Sequence, residues 1–185
     1  MHADNWANKA KQEGYRTRAV YKLEEILQKT KSLKRTQNVL DLGSAPGGWA
    51  HYIKKKSPNS VVYAIDILDM EAVDGVYFFQ NSIEEIDNID SISSKMGSFG
   101  LVISDIAPNI TGINAIDTEN IYELNLLTLD TATKYLNKSH GSFIMKTFQN
   151  SMLKNLRKKM ELSFKIVQTF KPAASKKQSG EIFLY

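Results

Sequence analysis

The sequence contains no cysteine among its 185 residues and only three histidines. Without a thiol the chain can form no disulfide, no zinc–thiolate site and no cysteine nucleophile. His2, His51 and His140 lack the spacing of metal ligands, so each is interpreted as surface or core filler and no metal is expected.

Long hydrophobic runs are also missing. No apolar stretch approaches the roughly 18 residues of a membrane span, and residues 1–6 do not resemble a secretory signal. The hydrophobic share of 42% and the charged share of 24% are ordinary for a globular protein. We expect one domain over residues 1–185, with a basic helical segment at 1–38, a Rossmann-like core at 39–185 and no membrane partner.

The net charge of +4 is distributed unevenly along the chain. Residues 1–38 hold nine Lys/Arg against four Asp/Glu, residues 150–185 hold eight against two, and the middle holds seven against fourteen. Basic ends around an acidic centre favour termini that bind a polyanion together and a centre that binds a neutral or cationic small molecule. The alternative is a set of scattered, solvated lysines.

A glycine-rich turn follows the first apolar run. A buried parallel strand is predicted from the apolar residues Val39, Leu40 and Leu42. A tight turn is predicted from the glycines at 43, 47 and 48, and a helix is predicted at residues 49–56. Such a turn suits a nucleotide-like ligand at the carboxyl edge of a sheet, although an ordinary tight connection would look the same. The spacing does not fit the Gly-x-Gly-x-x-Gly of dinucleotide enzymes. Asp-x-Gly at the end of the strand resembles instead the first motif of methyltransferases that use S-adenosylmethionine.

Charged residues end several of the predicted strands. Strands at 61–65 and 101–104 are followed by Asp66 and Asp105, and the strand at 141–146 ends in Lys146 within the apolar run Phe-Ile-Met-Lys-Thr-Phe. An acid after the second strand commonly binds ribose hydroxyls in this architecture. A buried, unpaired ammonium is costly, so Lys146 needs a partner or a role.

Strands are also predicted at 76–80, at 164–170 and at 182–185, where Glu181 opens the last one. Helices are predicted at 118–136 and 149–160, and the second of these is basic. Near the N-terminus an amphipathic helix follows Gly14, with Thr17 as its expected N-cap. Arg16, Arg18 and Lys22 surround its start, where cations are unfavourable, and this indicates an anion such as RNA phosphate.

Five segments together resemble the FtsJ-type ribosomal RNA methyltransferases in order along nearly the whole chain. They are Tyr15–Leu23, Asp41–Trp49, Ser104–Asn109, Phe143–Gln149 and Lys171–Glu181. The resemblance implies a Rossmann-like α/β fold with a mostly parallel seven-stranded sheet, flanking helices and an antiparallel C-terminal strand. It also implies transfer of a methyl group from S-adenosylmethionine to a ribose 2′-hydroxyl, that of a uridine, in large-subunit ribosomal RNA.

The resemblance assigns site residues by motif. The catalytic tetrad comprises Lys22, Asp105, Lys146 and Glu181. The cofactor-binding residues are Gly43, Gly47, Gly48, Trp49, Asp66, Ser82 and Asp105, and the family often has an aspartate where this chain has Ser82. The RNA-binding residues are Arg16, Arg18, Lys22, Lys176 and Lys177.

In the family the lysine that matches Lys146 is regarded as the proton acceptor for the 2′-hydroxyl. A lysine can instead stay charged, orient the hydroxyl and stabilise the developing alkoxide, and both roles stay open. Lack of cysteine disfavours methylation of a pyrimidine ring carbon, and Asp-Ile-Ala-Pro-Asn lacks the Pro-Pro-aromatic of amino-group methyltransferases.

Three other functions are considered: a methyltransferase for tRNA anticodon-loop riboses, a noncatalytic RNA-binding ribosome-assembly factor, and a dinucleotide oxidoreductase, which the glycine spacing disfavours. We expect a monomer that acts inside the cell, in the cytoplasm or in an organelle with its own ribosomes, such as the mitochondrion.

Overall fold

The computed structural model describes residues 3–34, 37–176 and 178–185. In this part of the chain seven strands form one sheet in the order β3-β2-β1-β4-β5-β7-β6. The strands are β1 (Asn38–Leu42), β2 (Val61–Asp66), β3 (Val76–Gln80), β4 (Leu101–Ser104), β5 (Ser142–Phe148), β6 (Thr169–Phe170) and β7 (Glu181–Leu184). Neighbouring strands from β3 to β5 are parallel, and β7 is antiparallel to both β5 and β6. The predicted fold class is confirmed.

Helices cover both faces of the sheet. They are α1 (Ala3–Gln12), α2 (Val20–Thr30), α3 (Gly48–Lys56), α4 (Asp90–Ser93), α5 (Asn114–Tyr135) and α6 (Leu153–Glu161), with a 3₁₀-helix at Ile83–Asn88. The hydrophobic faces of α1, α2 and α3 pack on one side of the sheet, and those of α5 and α6 pack on the other.

Strand periodicity decides which side each functional residue faces. Along β5, Phe143 and Met145 join the α5 side, whereas Ile144 joins the α2 side. Because side chains alternate along a strand, Lys146 lies on the α2 side and Thr147 on the α5 side. In β7, Phe183 is paired with Lys146 and packs on the same α2 side.

Several predicted boundaries are wrong. Helix α2 begins at Val20 after Ala19, so Thr17 is not its N-cap, because Thr17 packs instead against the turn at Gly48. Helix α6 begins at Leu153 rather than at 149, because the Asn150 carboxamide accepts a hydrogen bond from the Met152 N–H and forms a turn there.

The sixth strand is also much shorter than predicted. It contains only Thr169–Phe170 instead of residues 164–170. Phe164 and Val167 pack partly into the core while Ile166 between them is 64% exposed, a pattern that places no regular face of the segment against the sheet. Helix α5 begins at Asn114, four residues before its predicted start at 118.

Candidate active site

A cavity of about 690 Å³ opens at the carboxyl ends of the parallel strands. In an open α/β sheet this is the edge where ligands bind. Of the residues that the sequence assigned to the cofactor, the cavity is lined by Gly43, Asp66, Ser82 and Asp105. Apolar side chains form much of the remaining wall, and they are Ile67, Leu68, Ile83, Ile106, Leu124 and Leu127.

The glycine turn shapes one wall of the cavity through close packing. Gly43 has a φ of +74°, and a Cβ there would lie 2.8 Å from Cβ of Ile106. Gly47 has a φ of +91°, which L-residues with side chains rarely adopt, and a Cβ at Gly48 would lie 2.5 Å from Oγ1 of Thr17. The three glycines are therefore explained by backbone conformation and space, and only Gly43 lines the cavity.

Trp49 points away from the cavity. Its indole N–H donates to the backbone carbonyl of Ala19 over 2.9 Å, and its ring centroid lies 5.8 Å from that of Phe183. The side chain is 4% exposed and packs between α3, α2 and β7. Because the indole is occupied by this packing, only the backbone of Trp49 is available for the predicted cofactor contact.

Asp66 and Ser82 line the cavity and also hold its walls. The Asp66 carboxylate accepts hydrogen bonds of 2.8 Å from the backbone N–H of Ala45 and of Leu68. Each carboxylate oxygen has a second lone pair, so Asp66 can still accept a hydroxyl. Ser82 caps the 3₁₀-helix, and its hydroxyl accepts a hydrogen bond of 3.2 Å from the Glu84 N–H.

The predicted tetrad consists of two ion pairs at the same edge. Nζ of Lys22 lies 2.8 Å from Oε2 of Glu181, and Nζ of Lys146 lies 3.2 Å from Oδ1 of Asp105. The four side chains are between 10% and 23% exposed. The Lys146 ammonium also donates a hydrogen bond to the backbone carbonyl of Asp105, and Oδ1 of Asp105 is buried facing that ammonium.

Electrostatic effects connect the two pairs. Burial raises the pKa of Asp105 above its ordinary value, although Lys146 and Lys22 oppose this shift. Burial also acts to raise the pKa of Glu181, but the hydrogen bond and charge of Lys22, the Ser175 hydroxyl and the charge of Lys146 together lower it. Each acid thus responds to both lysines, and the four groups form one cluster.

A third buried carboxylate was not assigned to the site by the sequence. Asp41 in β1 is 1% exposed, and its Oδ2 has no hydrogen-bond partner. Burial, followed by the charges of Asp105 and Asp66, raises its pKa well above the ordinary value, and a hydrogen bond from the Ala50 N–H opposes the shift. Its position as the acid of the Asp-x-Gly motif, at the end of an apolar strand, was the available signal.

The predicted RNA-binding residues differ in how they are used. Arg16 donates to the backbone carbonyls of Pro46, Glu71 and Ala72, so its guanidinium holds the loops around the glycine turn. Lys22 is bonded to Glu181, and Nη1 of Arg18 is buried without a partner. Lys176 is exposed, and Lys177 lies outside the described residues. Arg16 and Lys22 are therefore bonded within the protein, and RNA binding at the start of α2 stays a prediction.

A buried amide on α5 contacts the strand that carries Lys146. Asn125 is 3% exposed, and its Nδ2 donates to the backbone carbonyl of Lys146 over 3.1 Å. Its Oδ1 accepts a hydrogen bond of 2.6 Å from the hydroxyl of Thr147. Sequence reasoning missed this residue, since a single asparagine within a helical pattern gives no sign of the strand it will contact.

Comparisons with known proteins agree with this fold. The FtsJ-like methyltransferase family model matches residues 15–185. The chain belongs to this family. Two bacterial relatives are named ribosomal RNA large subunit methyltransferase E. That of Dechloromonas aromatica is 37% identical over 184 residues, with 98% of this chain and 89% of the relative covered. That of a Psychrobacter species is 39% identical over 183 residues, with 97% and 87% covered.

Two solved structures of methyltransferases share the fold. A crystal structure described as a ribosomal RNA methyltransferase of Plasmodium falciparum has a TM-score of 0.81 and 30% identity, and covers 92% of this chain and 96% of its own. Human methyltransferase-like protein 13, solved with S-adenosylhomocysteine (SAH), has a TM-score of 0.63 at 12% identity, covering 89% and 80%, and this likeness concerns the fold alone.

Membership of the FtsJ-like family makes S-adenosylmethionine the cofactor. Within the described residues no group of three or more metal-ligating side chains could hold a metal ion. None of the described helices is both long and apolar enough to cross a membrane.

Proposed function

We propose that this protein transfers a methyl group from S-adenosylmethionine to a ribose 2′-hydroxyl of large-subunit ribosomal RNA. The observation that supports this most directly is the cluster of two lysine–carboxylate pairs beside the cavity. Asp105, which pairs with Lys146, also lines the cavity. The names of the bacterial relatives and of the Plasmodium structure support ribosomal RNA as the substrate class.

The cavity residues fit S-adenosylmethionine. Its volume of about 690 Å³ lies within the usual 300–1,000 Å³ of ligand pockets. Oδ1 of Asp105 is buried 3.2 Å from the Lys146 ammonium, and its other lone pair suits a cationic amino group. The aliphatic side chains of Ile67, Leu68 and Ile83 suit a flat base, and Asp66 has lone pairs for ribose hydroxyls.

When bound, S-adenosylmethionine supplies an electrophilic methyl group on a sulfonium. The protein must then hold the 2′-hydroxyl in line with that methyl group, and such positioning provides much of the acceleration in a displacement reaction. Lys146 lies next to Asp105 at the cavity, so we assign it the contact with the hydroxyl oxygen. Glu181 and Lys22 form the neighbouring ion pair and set the charge around Lys146.

The proton of the 2′-hydroxyl must leave as the oxygen–carbon bond forms. Either Lys146 takes it as a base, or Lys146 remains an ammonium that stabilises the developing alkoxide while the proton passes to water. A Lys146→Arg variant separates these roles, because arginine keeps its charge and does not lose its proton in proteins. Activity near that of wild type would assign the charged role, and loss as deep as in Lys146→Ala would favour the base.

The experiment that tests the function measures transfer of radiolabelled methyl groups to undermethylated large ribosomal subunits and, separately, to bulk tRNA. Label should enter ribosomal RNA, and Lys146→Ala should lower the rate about 10²- to 10⁴-fold. Label in tRNA would assign the protein to the anticodon-loop enzymes. Binding of S-adenosylmethionine without label in either RNA would indicate an assembly factor.

The finer features of this proposal concern the nucleotide, the assembly state and the compartment. We propose uridine as the methylated nucleotide and a monomer as the active form, and nuclease mapping of the labelled RNA together with sedimentation tests both. The substrate implies that the protein acts inside a cell. The two curated relatives described above are bacterial, so the option of an organelle receives no support from them.

A further inference from the structure

Helix α6 carries a basic surface that the site described above does not use. Lys154 and Lys158 are exposed and lie one helical turn apart. They line a surface cavity of about 500 Å³ together with Asn150, Ser151, Leu153, Arg157 and Glu161, whose carboxylate lies 3.8 Å from Nη2 of Arg157. These seven residues are called the α6 groove below.

The α6 groove begins beside the tetrad. Asn150 is four residues beyond Lys146, so their Cα atoms are at most about 14 Å apart. Gln149, between them, donates its N–H over 2.8 Å to the carbonyl of Gly180, the residue before Glu181. The groove therefore starts at the same edge of the sheet as the tetrad but on the α5 side, whereas Lys146 lies on the α2 side.

The two lysines of the groove have no partner within the described chain. Neither makes a hydrogen bond or an ion pair with a described residue, whereas Arg157 donates to Thr169 and to the carbonyl of Val167. Lys154 lies in the first turn of α6, which contains no acidic residue. A cation is unfavourable there because of the helix dipole, so packing and helix stability do not account for it.

The basic N-terminal segment contrasts with this surface. Arg16 is bound by three backbone carbonyls, and Lys22 is bound by Glu181. Lys29 and Lys56 are paired with Glu25 and Glu24. Among the cations near the active site that have no described partner are Lys154 and Lys158 on α6, beside Arg18 and Lys176 described above.

We propose that the α6 groove binds phosphates of the RNA strand that flanks the methylated nucleotide. Lys154 and Lys158 neutralise two phosphates, and the hydroxyl of Ser151 and the Nδ2 of Asn150 are donors for phosphate oxygens. The Asn150 Oδ1 is already used by the Met152 N–H. This inference rests on the proposed function, since it requires RNA at the tetrad.

The test compares Lys154→Ala/Lys158→Ala with wild type in binding to protein-free large-subunit ribosomal RNA from undermethylated subunits, between 50 and 200 mM KCl at constant magnesium. The plot of log K against log salt has a negative slope, and each lost phosphate contact makes this slope shallower by about 0.7 to 0.9. For two contacts the slope should become shallower by about 1.4 to 1.8, and affinity at 0.1 M salt should fall about 25- to 60-fold. Affinity for S-adenosylmethionine should not change.

The matched control is Lys138→Ala/Lys165→Ala. Both lysines are exposed and make no ion pair with a described residue, and removing them changes the net charge equally. They lie near the amino edge of the sheet, where Lys138 shares a cavity with Ser163. This control should bind RNA with the slope of wild type.

Two results would overturn the proposal. One is an unchanged salt slope in Lys154→Ala/Lys158→Ala while wild type methylates the subunits, which would leave the proposed function intact. The other is normal binding to protein-free RNA with weakened binding to whole subunits, which would make a ribosomal protein the partner of α6. Failure of wild type to methylate either RNA would instead contradict the proposed function.

Discussion

The hydrogen bonds of Asn125 predict that a residue outside the cavity positions the catalytic lysine. Asn125 on α5 contacts the Lys146 carbonyl and the Thr147 hydroxyl, at 3.1 and 2.6 Å. Both Asn125 and Thr147 are almost fully buried, at 3% and 2% exposure. The direction of the Lys146 side chain depends on the backbone at that point, so Asn125 should be a positioning residue.

Asn125→Leu removes the amide without removing the groups that it satisfies. The Lys146 carbonyl and the Thr147 hydroxyl would each lose a partner in the interior, at a cost of about 1–3 kcal/mol apiece. We therefore expect a loss of about 2–6 kcal/mol in the free energy of unfolding. Domains usually unfold with about 5–15 kcal/mol, so a loss at the upper end of this range would unfold a domain of low stability, and the folded fraction is measured together with the activity.

The activity of the folded fraction provides the decisive readout. A small displacement of Lys146 should lower kcat about 10- to 100-fold while KM for the RNA and the affinity for S-adenosylmethionine stay close to wild type. Urea denaturation gives the folded fraction, and single-turnover methyl transfer gives the rate. Thr128→Val is the control, because Thr128 is fully buried on α5 but its hydroxyl bonds to Leu124 of its own helix.

A double-mutant cycle tests the same reasoning through stability. Thr147→Val leaves Oδ1 of Asn125 unpaired, whereas Asn125→Leu/Thr147→Val removes both partners, so the two changes should be less than additive by about 1 kcal/mol or more. Additive effects, or an Asn125→Leu variant whose folded fraction turns over as fast as wild type, would refute the positioning role.

Three further predictions concern charge and space around the site. Burial and neighbouring carboxylates raise the folded-state pKa of Asp41. Its contribution to the free energy of unfolding is therefore fully present below the unfolded pKa of about 3.9 and is lost as the pH rises through the folded-state pKa. Asp41→Asn should therefore gain stability over wild type, about 1–3 kcal/mol at pH 8 and less at pH 5 in urea titrations, and an equal difference at both values would contradict this. Burial acts to raise the folded-state pKa of Glu181, but Lys22 lowers it. The contribution of Glu181 to the free energy of unfolding is therefore present above the unfolded pKa of about 4.3 and is lost as the pH falls through the folded-state pKa. The advantage of wild type over Glu181→Gln should accordingly shrink in acid, and a constant difference would exclude the linkage. A Cβ at Gly48 would lie 2.5 Å from Oγ1 of Thr17, so Gly48→Ala should cost about 1–3 kcal/mol in thermal unfolding and be rescued by Thr17→Ala, and no rescue would show that the cost arises elsewhere.

The sequence allowed prediction of the residues at the ends of strands. Asp66, Asp105 and Lys146 each follow or end an apolar run, and local pattern is enough to identify both the run and the charge after it. Glu181 was placed at the opening of the last strand for the same reason. The carboxyl edge of the sheet, and so the position of the cavity, followed from these residues.

Contacts between distant segments could not be predicted in this way. Residues 22 and 181 are 159 positions apart, and their ion pair depends on how α2 lies across β7. Trp49 and Arg16 were predicted to contact a ligand, and the sequence did not show that their side chains also bind backbone carbonyls of other loops or helices. Charge and motif do not reveal whether an internal acceptor will occupy a side chain before a ligand does.

Strand β7 runs antiparallel to β5, and this explains how one compact site can combine residues from four distant segments of the chain. Parallel strands bring only the residues at their ends to the carboxyl edge, as β4 does with Asp105 and β5 with Lys146. Because β7 is antiparallel and lies beside β5, its first residue, Glu181, reaches that same edge. Lys146 and Glu181 then lie on the same face, two pairs apart along the ladder, and α2 brings Lys22 onto that face from the other layer. An all-parallel order would have placed the first residue of this strand at the opposite edge, and Lys22 would have lost Glu181 as its ion-pair partner.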